Sequence, residues 1–179
     1  LARFTTDWTC GLLWNKLYKR ALFDGIFFEE GHKIDDEYFT YQGVMNAAKV
    51  VCDPRVVYNY RQRASSVMQS PAARAQIAID RIDFMAKRRE KVLERFPELR
   101  REFDISFVDA LSYLADYPDN TEESIRLLKY YARRYFLQRG NTFPPRYLLK
   151  AVFLMYVTGT EKLLKRPQAK KPSPEDYYA

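Results

Sequence analysis

From Pro71 onward the apolar residues recur at helical spacing almost without interruption, and this run limits the possible folds more than any other feature of the chain. Pro71 suits the first turn of a helix, where its missing N–H would have no partner. Ala78, Ile82, Met85, Val92 and Phe96 mark the apolar side of a helix that Pro97 interrupts. Phe103, Phe107, Leu111 and Leu114 mark a second, which stops before Pro118. Asn120, with Glu123 three residues on, reads as a capping box for a third. That helix is expected to bury Ile125, Leu128, Ala132 and Tyr135 and to end at Gly140. Pro144-Pro145 opens a fourth, carrying Leu148, Val152 and Tyr156. Residues 71–170 are therefore expected to form a bundle of about four helices, and the Pro-, Lys- and Ser-containing end, 171–179, a loose tail.

Before residue 70 the periodicity is mixed. Residues 12–23 (LLWNKLYKRALF) read as an extended piece running into a helix, which Gly25 ends because glycine tolerates the left-handed cap. Gly31 reads as a turn. A helix is expected from about Asp36 to Lys49, with Tyr38, Tyr41, Met45 and Ala48 as its buried stripe. Asp35, Asp36 and Glu37 crowd its first turn, where carboxylates favour the positive end of the helix dipole. Val50–Cys52 and Val56–Arg63 read as two short strands either side of an Asp53-Pro54 turn. Alternation on the second puts Tyr58, Tyr60 and Gln62 on one face and Val57, Asn59, Arg61 and Arg63 on the other. The fold class expected is mixed but mainly α: a small α/β unit over 1–70, then the helical bundle.

The formal net charge of +7 favours anionic partners, or serves solubility alone. No zinc finger or RNP-type strand is present, so nucleic acid is not the partner expected. Cys10 and Cys52 lack metal-ligand spacing and read as ordinary thiols of a reduced, cytoplasmic protein. The longest apolar stretch, Leu148 to Val157, is broken by Lys150 and falls short of the roughly 20 residues a membrane span needs. The chain begins at Leu1 and reads as part of a longer protein, so a targeting segment upstream of it stays open.

Three segments carry the chemistry: WNKLYKRALF at Trp14–Phe23, GHKIDDEYFTY at Gly31–Tyr41 and VVYNYRQRASSVM at Val56–Met68. In this order and spacing they resemble family 2 glycosyltransferases of the kind that build bacterial surface polysaccharides. The resemblance covers about residues 8–70 and does not extend to the helices beyond. It implies a GT-A fold, of which this chain would hold the acceptor-side half. The nucleotide-binding half, with its Asp-x-Asp motif, has no counterpart here, so the divalent metal (Mg or Mn) expected in the full-length enzyme finds no ligands in this chain.

The family pattern in the middle segment is Glu-Asp, the second carboxylate acting as catalytic base. Asp36 matches the base and Asp35 replaces the usual Glu. An inverting transferase needs such a carboxylate to take the proton from an acceptor hydroxyl as it attacks the anomeric carbon, help worth about 10²–10⁴ in rate. The same residues also read as a simple acidic helix start. Asn15 and Lys16 match the first motif and are expected to bind substrate. Arg61 and Arg63 are expected to bind the donor diphosphate with their guanidinium forks, beside Asp36 in a cleft, or else to belong to a solvated strand face or to pair with Asp35 or Glu37. Trp14 reads more readily as a core ring than as a sugar platform. His32, the only histidine, reads as a surface residue rather than a metal ligand. The substrates implied are a nucleotide sugar and a glycan or lipid-linked acceptor.

The alternative is a basic helical interaction or membrane-peripheral module without catalysis. Tyr147, Leu148, Phe153, Leu154 and Met155 with Lys150, Lys162, Lys165, Arg166, Lys170 and Lys171 suit an anionic membrane surface at the inner face. The competing reading is that the apolar members pack on the other helices.

Overall fold

The computed structural model describes residues 1–56, 58–61, 63, 66, 71–116, 120–136 and 144–156. It is mainly α. Among the described residues five α-helices follow in chain order: α1 (Asp36–Asn46), α2 (Pro71–Arg95), α3 (Arg100–Ala115), α4 (Glu122–Phe136) and α5 (Pro145–Tyr156). Three short 3-10 turns, Ala2–Thr5, Trp8–Gly11 and Arg20–Phe23, precede them, and a fourth at Pro97–Leu99 joins α2 to α3. The four helices expected after Pro71 are thus all present. The end of the third at Gly140, the tail at 171–179 and the lysines beyond α5 lie outside the described residues.

Two local expectations are corrected. The helix expected toward Phe23 is only the 3-10 turn Arg20–Phe23. Gly25 and Gly31 do adopt left-handed backbone, with φ of +76° and +86°. No strand occurs among the described residues, so Val50–Cys52 is not a strand and neither are residues 56, 58–61 and 63. A strand needs a ladder partner to satisfy its backbone, and no ladder is formed among the described residues. Val50, Val51 and Val56 are instead exposed.

Three clusters of buried side chains organise the helices. The largest joins Ala78, Ile82 and Ala86 of α2 to Phe107, Leu111 and Leu114 of α3, Leu128, Ala132 and Tyr135 of α4, and Ala151, Leu154 and Met155 of α5. The second brings Phe4 and Tyr41 onto Val92, Leu93 and Phe103. The third sets Ile34 against Ala73, Ile77 and Phe84. Helix α2 contributes to all three, so it is buried along more than the single side its sequence marks. Its polar residues Asp80, Arg88 and Arg89 are buried as well. Arg89 is ion-paired to the equally buried Asp104 of α3, which spares both groups an unpaired charge in the interior.

Helix α1 is covered from two sides and therefore departs from its expected stripe. It buries Phe39, Thr40, Tyr41 and Gly43, while Ala48 lies past its end and is exposed. Phe39 stacks between Phe23 and Phe28, with ring centroids 4.3 and 4.0 Å away. The Phe23 ring crosses Gly43 so closely that a Cβ there would overlap it.

At the start of α4 the capping box is formed one residue later than expected. The Thr121 hydroxyl accepts the Ser124 N–H at 3.2 Å, and the Ser124 hydroxyl accepts the Thr121 N–H at 3.0 Å. Asn120 instead donates to the carbonyls of Leu114 and Ala115 at the end of α3.

Candidate functional site

The first and second segments meet where the chain before α1 folds back on the N-terminus of that helix. The turn Trp8–Gly11 and the turn Arg20–Phe23 both pack on α1. Gly11 lies against Glu37, where a Cβ would stand 3.4 Å from the Glu37 Cγ. This approach brings Lys16 and Tyr18 into the electrostatic field of Asp36.

Asp36 is half-buried and accepts the Glu37 N–H at 3.0 Å. Burial raises its carboxyl above the ordinary value; the charges of Glu37 and Asp35 add to this and the Glu37 N–H opposes it. Lys16 is pushed the other way: burial lowers its ammonium, against the charges of Cys10, Asp7 and Asp36. Burial also raises the Tyr18 phenol, which the Thr40 hydroxyl opposes and Asp36 reinforces. All three groups are thus driven toward their neutral forms. Perturbed acids and bases gathered in this way are a common mark of functional sites.

The same seam holds buried polar atoms without a hydrogen-bond partner: the hydroxyls of Tyr18, Thr40 and Tyr41 and the Nε of Arg88. Tyr18 and Thr40 are neighbours, but their hydroxyls do not form a bond of normal geometry. Arg88 is buried within the fields of Glu37 and Tyr41, and burial lowers its guanidinium. Its flat group lies 5.8 Å from the Phe4 ring centroid. Glu37 takes its ion pair from Arg81 at 3.1 Å. Buried groups left unsatisfied are unusual; of these, Tyr18 lies in the field of Asp36, and Arg88 and Tyr41 lie in each other's field beside Glu37. Sequence reasoning assigned no role to Tyr18, Thr40 or Arg88, and read Glu37 only as part of an acidic first turn. Tyr18 stands inside the first motif, and its spacing from Lys16 was the signal available.

The other expected residues are placed as follows. Asp35 is exposed and makes no capping bond with its side chain. Asn15 and Lys16 have local partners rather than free donors. The Asn15 amide donates to the Thr9 carbonyl at 3.1 Å, and the Lys16 ammonium donates to the carbonyls of Thr9 and Leu12 and to the Asn15 Oδ1 at 2.6–2.8 Å. The reason is chemical: the end of the Trp8–Gly11 turn exposes carbonyls, and a nearby cation satisfies them.

Arg61 and Arg63 are exposed; with no strand here, they do not share a strand face. No described side chain holds either guanidinium, and the charges that raise Asp36 are those of Glu37 and Asp35.

Trp14 is not a core ring. It is 37% exposed and lies against Tyr58 and Tyr60, with centroids 4.4 and 5.2 Å away, parallel to the latter within 8°. The third segment therefore joins the first through three surface aromatics. His32 is not a bare surface residue but part-buried. It bridges α2 and the turn before α1, with Nδ1 3.0 Å from Asp80 and Nε2 3.4 Å from Glu29. Burial would raise the Asp80 carboxyl, but bonds from His32, Gln76 and the Lys33 N–H outweigh it and hold the group below its usual value.

Neither cysteine is in a disulfide. Among the described residues no group of three His, Cys, Asp or Glu side chains is arranged to hold a metal ion, and no helix is long and apolar enough to cross a membrane. No protein-family model, no curated protein and no solved structure gives a significant match to this chain.

Proposed function

We propose that this chain is the acceptor-side part of an inverting glycosyltransferase that moves a sugar from a nucleotide sugar to a glycan or lipid-linked acceptor. The observation that carries the reading is the half-buried Asp36, raised above an ordinary carboxyl and flanked by Lys16 and Tyr18 of the neighbouring motif. A base in such a setting takes a hydroxyl proton more readily than a fully solvated carboxylate, because the proton relieves an unfavourable charge. In this reading Asp36 removes the proton of the attacking hydroxyl and holds it as the glycosidic bond forms. Lys16 holds the end of the Trp8–Gly11 turn through the carbonyls of Thr9 and Leu12.

Trp14, Tyr58 and Tyr60 offer an exposed aromatic surface of the kind on which the apolar face of a sugar ring rests. Arg61 and Arg63 remain the candidates for the leaving diphosphate. The residues described here do not suit a divalent metal, so in this reading its ligands lie in the nucleotide-binding half. That half would also supply the strands that complete an α/β unit with residues 50–63.

The test uses the enzyme completed by its nucleotide-binding half. Asp36→Asn should lower sugar transfer by at least about a hundredfold while leaving nucleotide-sugar affinity within about twofold. Near-normal turnover in the variant would remove Asp36 as the base.

A further inference from the structure

We infer that the outer faces of α4 and α5 together bind the surface of an anionic phospholipid membrane, a property independent of the transferase reading. Helix α5 is apolar on two sides. Its inner side, Ala151, Leu154 and Met155, is accounted for by packing in the main core. Its outer side is not: Leu148, Leu149, Val152 and Tyr156 are 52, 73, 44 and 63% exposed. These positions fall on one face of the helix. The sequence-based list is corrected on this point, since Leu154 and Met155 are buried and Lys150 is engaged by Asp109 at 2.6 Å.

Beside this face, α4 forms an open depression of about 440 Å³ lined by Arg126, Lys129, Tyr130, Arg133 and Arg134. Glu122 pairs with Arg126 at 3.1 Å, and Glu90 pairs with Arg134 at 2.9 Å. No described carboxylate pairs with Lys129 or Arg133. The Arg133 guanidinium lies 5.8 Å from the Tyr156 ring centroid, so the basic depression and the apolar face share an edge.

A lipid surface satisfies both halves at once. Headgroup phosphates meet the cations, the leucines and Val152 enter the acyl boundary, and Tyr156 sits at headgroup level. A nucleic acid would answer the cations but leave Leu148, Leu149 and Val152 in water. The chain after α5 adds Lys162, Lys165, Arg166, Lys170 and Lys171, which strengthens the attraction without defining the face.

Co-sedimentation of the full chain with vesicles tests this. Binding should be strong to phosphatidylcholine containing about 30% phosphatidylglycerol, weak to phosphatidylcholine alone, and weakened by salt. Leu149→Glu should cut the partition coefficient at least about tenfold. Lys129→Glu with Arg133→Glu should cut it about a hundredfold. All three changes are at the surface, and helical circular dichroism confirms that each variant is folded.

Equal binding to both vesicle types, or none to either, overturns the proposal. So does loss of binding on replacing the five basic residues after α5 by alanine while the α4 and α5 variants bind normally, since the contact then lies in that segment. Dispersal of a dimer by Leu149→Glu without any effect on vesicle binding would assign the apolar face to a second copy of the chain and likewise overturn it.

Discussion

Burial and the charges of Glu37 and Asp35 all oppose ionisation of Asp36, and the backbone N–H groups of Glu37 and of Asp36 itself favour it. The consequence for stability has a definite sign. A carboxyl whose folded-state value is raised costs stability once the pH exceeds its unfolded value, and the cost disappears as the pH falls and the group protonates. Asp36→Asn should therefore raise Tm at pH 7 by about 1–3 °C, with the difference vanishing near pH 3. Thermal melts across that range check it. If Asp36 served only to cap α1, the variant would be no more stable at any pH. Asp36 and Lys16 were legible in the sequence because motif order marked them. The orphaned hydroxyls of Tyr18, Thr40 and Tyr41 were not. Whether a buried hydroxyl finds a partner depends on which segments meet, and no local pattern records that. The same holds for Asn15, whose amide is taken by the carbonyl of Thr9.

At the scale of single elements, two positions decide how well α1 and α4 are held. Gly43 costs α1 about 1 kcal/mol of helix propensity, yet the Phe23 ring occupies the space a side chain would need. Gly43→Ala should destabilise by about 1–3 kcal/mol through overpacking, read from urea unfolding. Combined with Phe23→Leu, the penalty should be smaller than the sum of the two single changes. Thr121→Ala removes the hydroxyl that accepts the Ser124 N–H and should cost about 1 kcal/mol; Thr121→Ser should cost little. The helices after Pro71 were readable because each is long enough for its apolar repeat to be counted, and because prolines and polar caps punctuate them. The segment 50–63 was misread for a physical reason. Alternating residues such as Tyr58 and Tyr60 permit a strand, but a strand exists only through its partner. In this structure both rings lie against Trp14 instead.

For the whole molecule, the transferase reading makes the chain by itself catalytically silent, since no donor site is complete without a metal and nucleotide-binding half. No release of nucleoside diphosphate from common sugar nucleotides is expected with Mg or Mn present. Turnover by the isolated chain that disappears in Asp36→Asn would show that this division of labour is wrong. The main helical core was legible from the apolar sides of α2, α3 and α4, but not on α5, where the expected Leu148, Val152 and Tyr156 are exposed and Ala151, Leu154 and Met155 form the buried side. The sharing of α2 among three clusters was not legible either, because a second buried face looks like ordinary composition until its neighbours are known. That sharing has a dynamic consequence. Helix α2 spans about 37 Å at 1.5 Å per residue, with the seam around Asp36 on one flank and the α3–α5 core on another. Before its exposed last turn, its amides meet solvent only once both flanks have parted. Deuterium uptake along α2 should then be the slowest in the chain and should run at a single rate, a clock for global opening. Amides of α1 and α5, each bordered by exposed surface, should exchange through smaller and independent openings that leave that clock unchanged.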